Sequence, residues 1–279
     1  MATFTNQATL TYNNTTVSSN IVTGEIAETL SAAKTAVSDA YSPGETLTYA
    51  VSLVNSGTAA LTDITVTDDL GAYDFGGTTL VPLTYVDGSV QYFADGVLQP
   101  APAVTAGTTL VISGITVPAD GNAVIIYQAE ANGFAPAETG SSIVNTATVD
   151  GTGVPAVTAS ATVPAEEEAI LSISKALSPS EVTENGQITY TFLIQNVGNT
   201  AESGAVIGDT FDPILRNIAV GIDGAPAQAA DYTYSEQTGE FATTEGAFTV
   251  PAATFTRDPV TGAYTVVPGT VTVTVAGTI

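Results

Sequence analysis

Leu47, Tyr49, Val51 and Leu53 alternate with Thr48, Ala50 and Ser52, a period of two that predicts a strand with one face buried. The same alternation recurs at Ile188, Tyr190, Phe192 and Ile194, and in the runs LTDITVTDDL, TLVISGITV, AVIIYQAEA and TVTVTVAGTI. Between such runs fall turn-forming pairs, among them Asp87-Gly88, Asp95-Gly96 and Asp120-Gly121, which supply the left-handed backbone that tight turns need. No stretch carries a helical period. Short strands rich in Thr, Val and Gly at regular spacing predict an all-β chain of immunoglobulin-like β-sandwiches.

The pattern repeats. Lys175 stands 141 positions after Lys34, and at that offset, without a gap, Thr189 matches Thr48, Tyr190 matches Tyr49, Asn196 matches Asn55, Gly198 matches Gly57 and Asp209 matches Asp68. Two tandem sandwich domains are therefore expected, the first over residues 25–163 and the second over 164–279.

A second repeat is out of place. Residues 143–163, IVNTATVDGTGVPAVTASATV, read as a β-hairpin turning at Asp150-Gly151 and closing the first domain. Residues 2–22 carry a related pattern: Asn6 falls on Asn145, Ala8 on Ala147 and Leu10 on Val149, and Ser19 and Val22 fall on Ser160 and Val163 after a turn of different length at Asn13-Asn14. Residues 1–24 thus form an N-terminal hairpin with no domain in front of it. The sequence ends at Ile279 after TVVPGTVTVTVAGTI, without a counterpart of the closing hairpin. A sandwich lacking its terminal hairpin exposes an open edge and a strip of core. The expectation is that the N-terminal hairpin is a donor. The connector from Val22 to Leu30 spans at most about 30 Å, a short tether for folding back along two domains, whereas donation to the next copy reproduces the junction between the domains. Such a head-to-tail contact does not close and grows a filament. Its expected interface is Phe4, Ala8, Leu10, Tyr12 and Ile21 on the hairpin and Val271, Val273 and Val275 on the acceptor. Burying Phe4, Leu10, Tyr12 and Ile21 contributes roughly 6 to 12 kcal/mol gross, before association costs of several kcal/mol.

Three polar residue types sit on the apolar parity of their strands. Lys34 shares a face with Leu30 and Ala32, and Lys175 with Leu171 and Ile173. Asp68 and Asp209 follow Val66 and Ile207, while Asn145 and Asn6 lie between apolar neighbours. Alternation points all six inward, and burying an unpaired lysine costs several kcal/mol. Lysine, aspartate and asparagine converging in a dry core are the ingredients of a spontaneous isopeptide bond. Desolvation favours the neutral, nucleophilic amine, and a protonated aspartate polarises the carboxamide, which expels ammonia. The bond in the first domain joins Lys34 to Asn145 beside Asp68. In the second, Lys175 beside Asp209 requires Asn6 of an incoming hairpin. The plainer alternative is a hydrogen-bonded lysine–carboxylate pair with the asparagine satisfying a strand end.

Composition narrows the rest. The chain has 279 residues, 28 acidic against 4 basic, a net charge of -24, and neither cysteine nor histidine. Nucleic acid and anionic membranes are poor partners for such a charge; thiol chemistry, disulfides and histidine-based triads or metal sites are excluded. Asp63, Asp68 and Asp69 form no regular calcium loop, so no cofactor or metal is expected. Tyr85, Tyr92, Tyr127, Tyr232 and Tyr234 could form a sugar-binding face, though sandwich tyrosines more often serve the core or an edge. Nothing positive indicates an enzyme. MATFTNQATLTY lacks the basic and apolar regions of a secretory signal, so the usual signal-peptide route is not expected and the export route stays open.

The segments LSISKALSP, ENGQITYTFLIQNVGNT, VIGDTF and IVNTATV resemble the bacterial conserved-repeat surface domain, once catalogued as domain of unknown function eleven. The resemblance covers both domains and implies β-sandwich modules strung together in surface or extracellular proteins, with isopeptide chemistry in related modules. The expectation is a structural subunit of a self-assembling extracellular or spore-surface filament. The alternative is a monomeric surface adhesin or ligand-binding protein with its hairpin folded back.

Overall fold

The computed structural model describes residues 2–26 and 30–279. Every regular element among them is a β-strand, and no helix is long and apolar enough to cross a membrane.

The chain opens with one long hairpin, built from β1 (Ala2–Asn6), β2 (Thr9–Tyr12), β3 (Thr15–Ser18) and β4 (Val22–Ile26). β1 pairs with β4 and β2 with β3. Asn13 and Asn14 make the turn at φ of 45° and 59°, the double left-handed conformation that matches strand twist and that asparagine tolerates. Thr23 to Ile26 continue the ladder as β4 instead of forming the polar connector expected from Thr23 to Thr29; residues 27–29 of that connector lie outside the described residues.

Two compact units divide the chain, Met1–Ala135 with Ile143–Val163, and Pro136–Ser142 with Pro164–Ile279. In the first, β5 (Leu30–Ala36), β6 (Thr46–Asn55), β15 (Asn122–Ala131), β11 (Gln91–Ala94) and β12 (Val97–Leu98) form one sheet in the order β12-β11-β15-β6-β5, with β10 (Leu83–Tyr85) also on β15. The other sheet runs β13-β14-β7-β16-β17, from β13 (Ala103–Ala106), β14 (Leu110–Val117), β7 (Leu61–Asp68), β16 (Ser142–Gly151) and β17 (Val154–Pro164). A small ribbon, β8 (Tyr73–Phe75) and β9 (Thr78–Leu80), stands apart. The inward positions Leu47, Tyr49, Val51, Leu53, Ile64, Val66, Ile112 and Ile125 are fully buried, as their alternation requires.

The turn between β16 and β17 falls at Thr152-Gly153, with Gly153 at φ 75°, and not at Asp150-Gly151. Gly151 stays in the strand because β16 pairs with β7 through Asp150 and the strand packs there against Ile64. A Cβ at Gly151 would lie 2.6 Å from the Ile64 Cδ1.

In the second unit, β18 (Leu171–Ser178), β19 (Gln187–Asn196), β27 (Gly269–Thr278), β21 (Arg216–Ile222) and β22 (Ala225–Pro226) repeat the path β5-β6-β15-β11-β12 of the first sheet, without a described counterpart of β10, in the order β18-β19-β27-β21-β22. Its opposite sheet holds β20 (Gly208–Thr210), β24 (Glu240–Thr243) and β23 (Tyr232–Tyr234) in the order β20-β24-β23. A ribbon of β25 (Thr254–Arg257) and β26 (Tyr264–Val267) completes it. The immunoglobulin-like pattern is thus present twice. The second copy has no described strand on the free edge of β20, where in the first β16 pairs with β7 and β17 lies beyond it. The core of this unit centres on Phe192, Ile194, Phe211, Leu215, Phe241, Val250, Val271, Val273 and Val275.

Candidate functional site

The inward parity of β5, β7 and β16 brings Lys34, Asp68 and Asn145 into the first core, at 6%, 0% and 0% exposure. Lys34 Nζ donates to Asp68 Oδ2 at 2.5 Å, and the backbone NH of Leu70 donates to Asp68 Oδ1 at 3.0 Å. Asn145 does not bond to Asp68 directly. Its Nδ2 donates to the Tyr127 hydroxyl at 3.0 Å, and that hydroxyl donates to Asp68 Oδ2 at 2.6 Å. Four side chains thereby form one buried chain of hydrogen bonds, from lysine through aspartate and tyrosine to asparagine.

Tyr49 lies opposite Tyr127 on the neighbouring strand and stacks on it with centroids 5.6 Å apart. Lys34 Nζ sits 5.0 Å from the Tyr49 ring centroid and 5.8 Å from that of Tyr127, a setting in which ring faces offset part of the ammonium's lost hydration. Burial pushes the Lys34 ammonium below its ordinary value of 10.5, against the opposing pull of the Asp68 carboxylate. Burial likewise raises both phenols, with the Asp68 charge adding to the effect. Among the described residues, two buried side-chain atoms lack a hydrogen-bond partner, the Tyr49 hydroxyl and Asn145 Oδ1. One can donate and the other can accept, and both belong to this cluster. A core that leaves such atoms unsatisfied is unfavourable by about 1–3 kcal/mol for each.

The second unit carries the same first pair in a different setting. Lys175 Nζ bonds to Asp209 Oδ2, yet the lysine side chain is 41% exposed and the aspartate 18%, against 0% and 0% for their counterparts. Every residue of β18 is exposed, whereas Leu30 and Lys34 of β5 are buried. The missing cover also shortens the strand: β7 spans Leu61–Asp68, but its counterpart keeps only Gly208–Thr210. A cleft of about 190 Å³ opens between β18 and the segment before β20, lined by Leu171, Ile173, Ile194, Ala205, Ile207 and Phe248. The expected acceptor residues Val271, Val273 and Val275 are not on it. They lie in β27, hydrogen-bonded on both sides by β19 and β21, at no more than 2% exposure. Alternation placed them inward correctly, but they face a core already filled.

On the N-terminal hairpin, Phe4, Leu10, Tyr12, Ile21 and Val22 are 54–63% exposed, and Asn6 and Ala8 are exposed as well. Phe4, Asn6, Ala8 and Leu10 follow the spacing by which Ile143, Asn145, Ala147 and Val149 line the first core. The structure therefore brings Lys34, Asp68 and Asn145 together, and Lys175 with Asp209.

Tyr127 is the participant that residue-type reasoning missed. Its inward parity in AVIIYQAEA and its place opposite the inward Tyr49 were the available signals. Of the other candidate tyrosines, Tyr92 and Tyr234 bond to backbone carbonyls at Thr116 and Leu215, as edge and core tyrosines do. Asp69 caps backbone amides at Gly71 and Thr146. Among the described residues no acidic cluster is placed to hold a metal ion.

No family model matches the chain, and no curated protein matches it. Solved structures similar to it include the major pilin subunit BcpA of Bacillus cereus, at 13% identity over 96% of this chain and 73% of that one, with a TM-score of 0.35. The pilus backbone RrgB of Streptococcus pneumoniae matches at 13% identity over 86% of this chain and 55% of that one, with a TM-score of 0.35. The major pilin SpaD of Corynebacterium diphtheriae matches at 13% identity over 78% and 51%, with a TM-score of 0.34.

Proposed function

We propose that the protein is a structural subunit that polymerises head to tail, each N-terminal hairpin filling the open edge of the second unit of the next copy. The observation that carries this reading is a pair of complementary defects in one chain. One hairpin has an exposed apolar face, and one sandwich has, among the described residues, no strand on the edge where the first carries a hairpin of that pattern. The register follows from the first unit, where Ala147 pairs with Asp68 and Val149 with Val66. Transferred, Ala8 lies opposite Asp209 and Leu10 opposite Ile207, and Asn6 arrives where Asn145 stands relative to Lys34 and Asp68. Backbone pairing gives the joint its affinity and the alternate side chains give it specificity.

Isopeptide bonds complete the proposal: Lys34 to Asn145 within a subunit and Lys175 to Asn6 between subunits, each with loss of one ammonia. Membership of the conserved-repeat surface domain family belongs to this reading, as does a place on an extracellular, cell or spore surface as a pilus-like fibre.

Denaturing electrophoresis of boiled native material with peptide mass spectrometry tests the reading. A multimer ladder containing a Lys175–Asn6 peptide short of one ammonia is expected. A monomer band with no fibres by electron microscopy would sink polymerisation, and an unmodified monomer mass would sink both bonds.

A further inference from the structure

The four-residue chain in the first unit holds more than the lysine, aspartate and asparagine that the crosslink requires. We infer that Tyr127 is a catalytic residue of the Lys34–Asn145 reaction, carrying a proton from Asp68 to the departing nitrogen. The inference rests on the crosslinking reading above. Tyr127 touches a reacting atom: its hydroxyl accepts from Asn145 Nδ2, the nitrogen that must leave as ammonia, and donates to Asp68 Oδ2. A carboxamide nitrogen departs only after gaining a proton, and Asp68 itself makes no hydrogen bond to Asn145. The phenol is the group that spans them.

The proton path balances. The buried pair first passes a proton from Lys34 Nζ to Asp68, leaving a neutral amine and a carboxylic acid, the form that desolvation favours. The amine lone pair attacks Asn145 Cγ, and the carbonyl electrons move to Oδ1, where the unpartnered Tyr49 hydroxyl is the available donor. Tyr127 gives its proton to Nδ2 and takes one from Asp68. The C–Nδ2 bond breaks and releases ammonia, and the carbonyl re-forms. Asp68 recovers a proton from the former lysine nitrogen, so one amide forms, one ammonia leaves, and Asp68 ends as the acid, holding the proton that the ammonium brought.

The second unit lacks this relay. Tyr190 keeps the place of Tyr49, but the residue opposite it in the central strand is Val275 where the first unit has Tyr127. Asp209 accepts from Lys175 and from the backbone NH of Thr210, and from no phenol. On the incoming hairpin, Tyr12 lies six residues beyond Asn6 along an extended strand, about 20 Å away. The internal bond therefore forms fast, while the joint between subunits closes slowly, after the hairpin has had time to seat and leave.

The test uses the full chain with Asn6→Ala, so that only the internal bond can report, refolded by dilution from denaturant and followed by intact mass. Tyr127→Phe is expected to slow ammonia loss by about a hundredfold or more. A fluorinated tyrosine inserted at 127 keeps the ring and its hydrogen bonds but acidifies the phenol. It is expected to move the pH–rate profile, a readout that a merely structural role leaves unchanged and that stands if the phenylalanine variant fails to fold. Ammonia loss in Tyr127→Phe within a few-fold of the parent rate, or a fluorotyrosine profile that coincides with the parent's, overturns the relay. No ammonia loss in the parent sinks the crosslink itself, and this inference with it.

Discussion

The two units share a sheet order, a lysine–aspartate pair at identical spacing and an inward tyrosine beneath it, yet one pair is sealed from water and the other is open to it. The difference is two strands. Where β16 and β17 lie against β7, Lys34 and Asp68 lose their solvent, Leu30 is buried and the strand runs its full length. Without described equivalents, Lys175 is exposed, Leu171 and Ile173 face solvent and the corresponding strand keeps only three residues. The environment of a charge pair, and with it any chemistry that depends on desolvation, is set by elements distant in sequence from the pair.

Removing the hairpin should break the comparison most completely. Deleting residues 2–26 is expected to abolish filaments in electron micrographs and sedimentation while the first unit still unfolds cooperatively. Retained filaments would show that another surface joins the subunits. A charge on the apolar face comes next: Leu10→Asp buries a carboxylate against Ile207 and is expected to weaken the joint by two or more orders of magnitude, read as a raised critical concentration. Ile207→Asp should act alike from the other side, since the two changes meet at one contact.

Replacing each lysine sharpens the contrast between the pairs. In the uncrosslinked Asn145→Ala background, Lys34→Met leaves Asp68 uncompensated in a dry core and should lower the stability of the first unit by about 3–5 kcal/mol. Lys175→Met in subunits kept monomeric by the hairpin deletion should cost no more than about 1 kcal/mol, because the pair there is hydrated. Urea unfolding of each variant checks both, and equal losses would mean that the covering strands do not govern the pair.

The smallest effect is a pH dependence of the uncrosslinked first unit, obtained with Asn145→Ala. Burial lowers the folded-state value of Lys34 below 10.5, so between that lowered value and 10.5 the unfolded chain binds more protons and stability rises with pH. The buried phenols of Tyr49 and Tyr127 are raised from 10.0. Above that value the unfolded chain sheds protons that the folded one keeps, and stability falls. The urea midpoint should therefore climb as pH passes the lowered Lys34 value, peak near 10 and decline. A flat profile would show that Lys34 carries the same charge affinity folded and unfolded.

Much of this was legible in residue spacing. The displacement of 141 positions paired Lys34 with Lys175 and Asp68 with Asp209, because a sandwich tolerates few changes of length between strands that must stay in register. Strand parity placed Lys34, Asp68 and Asn145 inward, since side chains alternate whatever the neighbours are. Asn13-Asn14 named its own turn through the backbone that asparagine accepts, whereas Asp150-Gly151 misled because Gly151 was required by packing against Ile64 and the turn moved to Thr152-Gly153.

What the sequence could not say is what covers a face. Parity put Val271, Val273 and Val275 inward as surely as Leu171 and Ile173, but the first set faces a filled core and the second an open cleft, a distinction made by which distant strands lie opposite. The same limit hid Tyr127: its inward place was readable, but the hydrogen bonds that join it to Asp68 and Asn145 depend on two sheets meeting face to face. Local alternation is a property of one strand and can be read along the chain. Burial, desolvation and proton paths are properties of strands that meet from opposite sheets, and only the tertiary structure decides them.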